Sequence, residues 1–118
     1  MNGKIGPALT SSSYGGHKEI VLFLLEAGAD INVRDQNGLT SLMSAVVAEK
    51  PEIVIILLEN GANISLPRLP ITRDKEGNVA NALALARMKQ NKEIIEILIN
   101  WESNNQKYLS PFLNPNFR

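Results

Sequence analysis

The sequence predicts an all-α protein built as a short solenoid: helix–turn–helix units stacked side by side, with loops projecting from the stack. Three observations predict it. Residues 19–34 (EIVLFLLEAGADINVR) recur as residues 52–65 (EIVIILLENGANIS) at a constant spacing of 33, pairing Glu19 with Glu52, Leu25 with Leu58, Gly28 with Gly61 and Ile31 with Ile64. Within each copy the aliphatic residues fall at helical spacing. Glycine and proline then punctuate the copies where helices would start and stop. A period of this length marks supersecondary units that cannot bury their apolar faces alone and must stack.

In the first unit Ala8 and Leu9 open a short helix over about 8–14, Gly15-Gly16 makes a turn, and His17-Lys18-Glu19 starts a second helix over 18–26. Ile20, Val21, Leu24 and Leu25 form its inward stripe and Gly28 ends it. In the second unit Asn37-Gly38 is a turn signal, and Thr40 is placed to cap a helix over 41–48 with its hydroxyl. Pro51 lies in the first turn of the next helix, 51–59, where its missing N–H costs nothing. Ile53, Val54, Leu57 and Leu58 are its buried stripe, and Gly61 takes the left-handed conformation beyond its end. The third unit is more worn, with helices over 80–88 and 92–101. Glu52 maps to Glu93 and Leu42 to Leu83 at a spacing of 41, so eight extra residues enlarge the loop near 66–78. The register predicts core positions at Leu9/Leu42/Leu83, Ile20/Ile53/Ile94, Val21/Val54/Ile95 and Leu24/Leu57/Leu98.

These readings divide the chain into repeats of about 3–35, 36–68 and 74–101, followed by a tail of 102–118. The tail carries Tyr108, Leu109, Phe112, Leu113 and Phe117. The last repeat would leave an apolar side without a neighbour, so the tail is expected to fold back on helices 80–88 and 92–101 as a cap.

Composition bounds the function. Twelve basic residues balance twelve acidic ones, which gives no long-range pull toward nucleic acid or an anionic membrane. The chain has no cysteine, which excludes a disulfide framework and thiolate metal sites and fits a reducing compartment. No apolar run is longer than Ile53–Leu58, which is far shorter than a membrane span, and the first residues lack the apolar run of a secretory signal. A cytoplasmic or nuclear location is therefore expected.

The strings GLTSLMSAVVAEKPEIVIILLENGAN and GGHKEIVLFLLEAGADIN resemble the ankyrin repeat, over roughly residues 5–101. The resemblance implies paired helices with hairpin-like loops projecting at right angles, and a concave surface that binds other proteins through loop tips and inner helices. Carried over to this chain, contact positions fall at Arg34, Gln36, Asn37 and Leu39 in the first complete loop. They fall at Arg73, Lys75, Glu76 and Asn78 in the second, and at Tyr14, Gly15, Val47, Ala48, Met88 and Lys89 on the inner helices. Tyr14, Val47 and Met88 occupy equivalent positions, so an apolar-aromatic strip is expected there. The family's Thr-Pro-Leu-His is absent: Thr10, Met43 and Ala84 stand at the histidine position, which implies softer loops.

Catalytic chemistry finds no support. His17 is the single histidine, so neither a histidine metal site nor a Ser-His triad can be assembled within one chain. Gly15-Gly16-His17-Lys18 lacks phosphate-loop spacing. Asp30, Asp35 and Asp74 lack the alternation of a calcium loop. Asn63-Ile64-Ser65 is formally a glycosylation acceptor, but reads as a turn. No cofactor, metal, small-molecule substrate, nucleic acid or membrane is expected. The sequence reads as a non-catalytic protein-interaction module, a monomer or part of a larger assembly. Its alternative is an architectural subunit or fragment of a larger ankyrin-repeat protein, with the apolar ends and the outward Leu22 and Ile55 buried in an assembly.

Overall fold

The computed structural model describes the backbone of residues 2–71 and 73–109 and the side chains of residues 7–71 and 73–104. Six helices follow one another among them: α1 Asn2–Gly15, α2 Lys18–Glu26, α3 Ser41–Val47, α4 Pro51–Glu59, α5 Ala82–Lys89 and α6 Lys92–Leu109. They pair as α1–α2, α3–α4 and α5–α6. The pairs stack into two layers, an inner one of α1, α3 and α5 and an outer one of α2, α4 and α6. Among the described residues the extended backbone forms no strand, only isolated bridges between Arg34 and Thr40 and between Arg73 and Val79.

The local chemistry of each unit repeats. Inner helices α3 and α5 start on side-chain caps: Thr40 Oγ1 accepts from the Met43 amide at 3.3 Å, and Asn81 Oδ1 from the Ala84 amide at 2.9 Å. Each cap satisfies an N–H that the first helical turn leaves without an intrahelical partner. Between inner and outer helix, each unit places one residue at positive φ: Gly16 at 73°, Glu49 at 58° and Gln90 at 56°. That conformation closes the same backbone bond three times, His17 to Ser12 at 2.9 Å, Lys50 to Ala45 at 2.9 Å and Asn91 to Ala86 at 3.3 Å.

The core runs through the stack. Leu9, Val21, Leu42, Val46, Ile53, Val54, Leu57, Leu58, Ile94 and Leu98 are buried in one cluster. Helix α3 is the most enclosed element, since every residue from Ser41 to Val46 is buried. Its small Ser41, Ser44 and Ala45 let neighbouring helices approach closely. Unit one uses Ser12 and Ser13 in the equivalent stretch. The Ser12 hydroxyl donates to the Ala8 carbonyl at 2.8 Å, whereas the Ser13 hydroxyl is buried without a hydrogen-bond partner among the described residues.

Four expectations are corrected. Helix α1 begins at Asn2 rather than near residue 8, with Pro7 inside it. Helix α6 continues past Trp101 to Leu109, beyond the expected end at 101; the side chains of Tyr108 and Leu109 lie outside the described residues. The proposed capping residues Phe112 and Leu113 lie outside the described residues. Ile20 is exposed, not core, and Leu24, Leu83 and Ile95 are half-buried. Periodicity finds the face of a helix but not whether a neighbour covers it; Ile20 and Leu24 belong to the first unit of the stack and Leu83 and Ile95 to the last. The eight extra residues are also divided. Arg34 and Arg73, at matching positions in the two loop turns, are 39 apart, whereas the caps Thr40 and Asn81 are 41 apart. Six insertions therefore precede the second turn and two separate it from α5.

Leu57 is fully buried between neighbouring units. Leu57→Ala should destabilise the chain by about 2–5 kcal/mol in denaturant unfolding. The half-exposed Ile20→Ala should cost less than about 1 kcal/mol.

Candidate interaction surface

Two turns project from the inner layer, and both are built by an Arg-Asp-x-x-Gly pattern. In the first, Asp35 Oδ1 accepts from the amides of Asn37 at 2.8 Å and Leu39 at 3.0 Å. Arg34 Nη1 donates to the Gly38 carbonyl at 3.1 Å and also to the Pro67 carbonyl in the following segment. In the second, Asp74 Oδ1 accepts from Glu76 at 3.0 Å and Asn78 at 2.8 Å, and Arg73 Nη1 donates to Gly77 at 2.8 Å. The turns thus hold themselves through an aspartate and an arginine, without a histidine from the inner helix.

This assigns different work to the predicted contact residues. Arg34 is half-buried and locks two successive loops together, and Leu39 packs against the core. Gln36 and Asn37 are exposed at the first tip. Arg73, Lys75, Glu76 and Asn78 are all exposed in the second turn, where Asn78 also donates through Nδ2 to Asp74 at 3.3 Å. On the inner helices Tyr14, Gly15 and Lys89 are exposed, Val47 and Ala48 are half-buried, and Met88 is 73% exposed.

A groove of about 640 Å³ lies between the second turn and α5. It brings together Arg73, Asn78 and Met88 from the predicted set with Leu83, Ala84 and Arg87. Sequence reasoning missed the last three. The spacing of 41 was enough to find Arg87, because it places an arginine where unit two has the buried Val46.

The loop inserted before the second turn crosses the first turn. The Leu69 amide donates to the Gly38 carbonyl at 3.2 Å. Gly38 has φ +78°, and a Cβ there would lie 2.0 Å from the Leu69 carbonyl oxygen. Gly77, at φ +87°, has open space instead. The turns after the outer helices are also tied, with Asn32 Oδ1 accepting from the Asn63 amide at 2.9 Å. On the outer layer Lys18 and Glu52 pair at 3.0 Å between α2 and α4.

The family model described as ankyrin repeats (3 copies) matches residues 3–68, more than half of the chain. The chain belongs to the ankyrin-repeat family. Ankyrin repeats are generally protein-interaction modules, and the stacked helical pairs seen here are that architecture. The chain is also similar to a human protein, ankyrin repeat and KH domain-containing protein 1, at 34% identity over 92 residues. That match covers 78% of this chain and 3% of the relative's length. Among the described residues no helix is long and apolar enough to cross a membrane.

Two measurements probe the turns. Gly38→Ala should destabilise the fold more than Gly77→Ala, by at least about 1 kcal/mol in denaturant unfolding, because only the first adds a steric clash to the strain of positive φ. The second measurement concerns Asp74. The Asn78 amide is the largest influence on its carboxyl and holds it below the usual aspartate range; desolvation opposes this next, and the Asn78 side chain and Glu76 add smaller lowering effects. A carboxyl whose folded pKa is depressed contributes stability that is present above its unfolded pKa and lost as pH falls through the folded value. Carbon-detected NMR titration should therefore give Asp74 a midpoint below an ordinary aspartate, with the Glu76 and Asn78 amides moving at the same midpoint.

Proposed function

We propose that this ankyrin-repeat chain is a non-catalytic module that binds a protein partner through the groove between the second turn and α5, together with the exposed tips of both turns. The observation that carries the reading is Met88. This side chain, 73% exposed, lines the groove together with Leu83, Ala84, Arg73 and Arg87. An apolar centre with methionine and arginine around it is the composition enriched where protein interfaces form. The rigid element beneath supports it: Asn81 caps α5, and Ala82, Leu85 and Ala86 anchor the helix in the core. Arg73, Lys75, Glu76 and Asn78 provide a polar rim, with Gln36 and Asn37 beside the other turn. Tyr14 and Val47 share Met88's position on the other inner helices and extend the surface along the stack. A protein with these features suits the cytoplasm or nucleus.

Capture from cell extract, followed by identification of the retained protein and titration with it, tests this reading. Met88→Asp should weaken binding at least about tenfold, or about 1.4 kcal/mol. Glu59→Lys, on the exposed outer layer, should leave it unchanged. Binding that survives Met88→Asp but fails with Glu59→Lys would move the site to the outer layer.

A further inference from the structure

Basic and acidic residues balance over the whole chain but not along it. Residues 1–65 carry seven acidic residues against four basic ones. Residues 66–90 reverse this, with Arg68, Arg73, Lys75, Arg87 and Lys89 against Asp74 and Glu76. All five basic side chains are exposed, and among the described residues none of them forms an ion pair. Asp74 spends its acceptors inside the turn: Oδ1 on the amides of Glu76 and Asn78, and Oδ2 on Asn78 Nδ2. Arg73 gives only Nη1 to the Gly77 carbonyl, which leaves Nε and Nη2 for a ligand.

The same positions in the other units are not cationic. Arg87, Met88, Lys89 and Gln90 correspond to Val46, Val47, Ala48 and Glu49 in unit two, and to Ser13, Tyr14, Gly15 and Gly16 in unit one. Lys75 corresponds to Gln36. Arg34, the counterpart of Arg73, is half-buried and donates to the Gly38 and Pro67 carbonyls. Unspent positive charge at these positions is therefore confined to the third unit, where the groove lies. Arg87 and Lys89 also complement the C-terminal carbonyls of α5. That effect does not account for Arg73 and Lys75, which belong to the turn on the other side of the groove.

We propose that the groove takes an acidic peptide segment of the partner. An aliphatic or aromatic side chain of that segment packs on Leu83, Ala84 and Met88, and Asp or Glu carboxylates on either side of it pair with Arg73 and Arg87. A guanidinium suits this task because its planar fork meets a carboxylate through two parallel hydrogen bonds. The groove's volume of about 640 Å³ fits a few side chains rather than a folded surface. Lys75 and Lys89, exposed beside it, add to the field that draws an acidic segment in. This inference rests on the groove reading above and names the chemistry of its occupant.

The test selects a random-peptide library on the full chain. Enriched peptides should carry an excess of Asp and Glu around an aliphatic or aromatic residue. Fluorescence anisotropy of an enriched peptide should show binding that weakens as salt rises. Arg87→Glu should weaken it at least about tenfold, and Met88→Ser, which changes no charge, at least about threefold. Lys18→Glu, the same charge reversal on the outer layer, should leave it unaltered; circular dichroism verifies the folding of each variant. Enrichment of neutral or basic peptides whose binding Met88→Ser weakens would overturn the acidic preference and leave the groove as a protein-binding site. Peptides indifferent to both groove variants, or no enrichment at all, would overturn the groove reading with it. Equal losses in Lys18→Glu and Arg87→Glu would reduce the effect to overall charge and overturn the proposal. Polyuridylic acid that binds more tightly than the enriched peptide, and is lost in Arg87→Glu, would make a nucleic acid the occupant and overturn it as well.

Discussion

The close approach of three inner helices is the constraint on which the rest depends. Helix α3 lies between α1 and α5 and contacts both. Burying a whole two-turn helix is possible only if its neighbours come near enough to exclude water, and Ser41, Ser44 and Ala45 supply the small side chains this needs. Leu42, Met43 and Val46 then fill the space left between the layers. Such dense packing makes the stability of each unit depend on the unit beside it, as in other solenoids. The turns project from the edge of this layer, so their positions are inherited from helix packing.

Polar contacts set register more than they add stability. Lys18 with Glu52, Asn63 with Asn32 and Asn91 with Glu49 each cross from one unit to the next on exposed surface, where such pairs are worth little. Arg34 is different because it is half-buried and ties the first turn to the segment leading to the second. The inserted residues are therefore not a passive bulge. They bring Leu69 across Gly38 and leave the second turn free to frame a groove with α5.

Much of the architecture was legible in the sequence, because the features that specify it are local. Thr40 announces the start of α3, Pro51 the start of α4, and Gly61 the end of the outer helix, each through backbone chemistry visible in a short window. The period of 33 then supplied the stacking. Coverage was not legible. Ile20 and Ile53 are the same residue in the same register, yet one is half-exposed and the other buried. Helical periodicity also could not separate contact residues from scaffold residues. Arg34 and Arg73 look alike in sequence, but only the first bridges two loops. Arg87 escaped notice because its significance lies in a comparison with Val46 across the enlarged loop. The extension of α6 to Leu109 was hidden because the repeat pattern ends at Trp101, whereas helix formation does not require the repeat to continue.

The middle unit, packed on both sides, holds the stack together. Native-state amide hydrogen exchange measures this residue by residue, since protection reports the free energy of the opening that exposes each amide. Slowest exchange is predicted in α3 and α4, with α2 and α6 exchanging faster because each has a neighbour on one side. Protection in α2 equal to or greater than that in α3 and α4 would contradict the account.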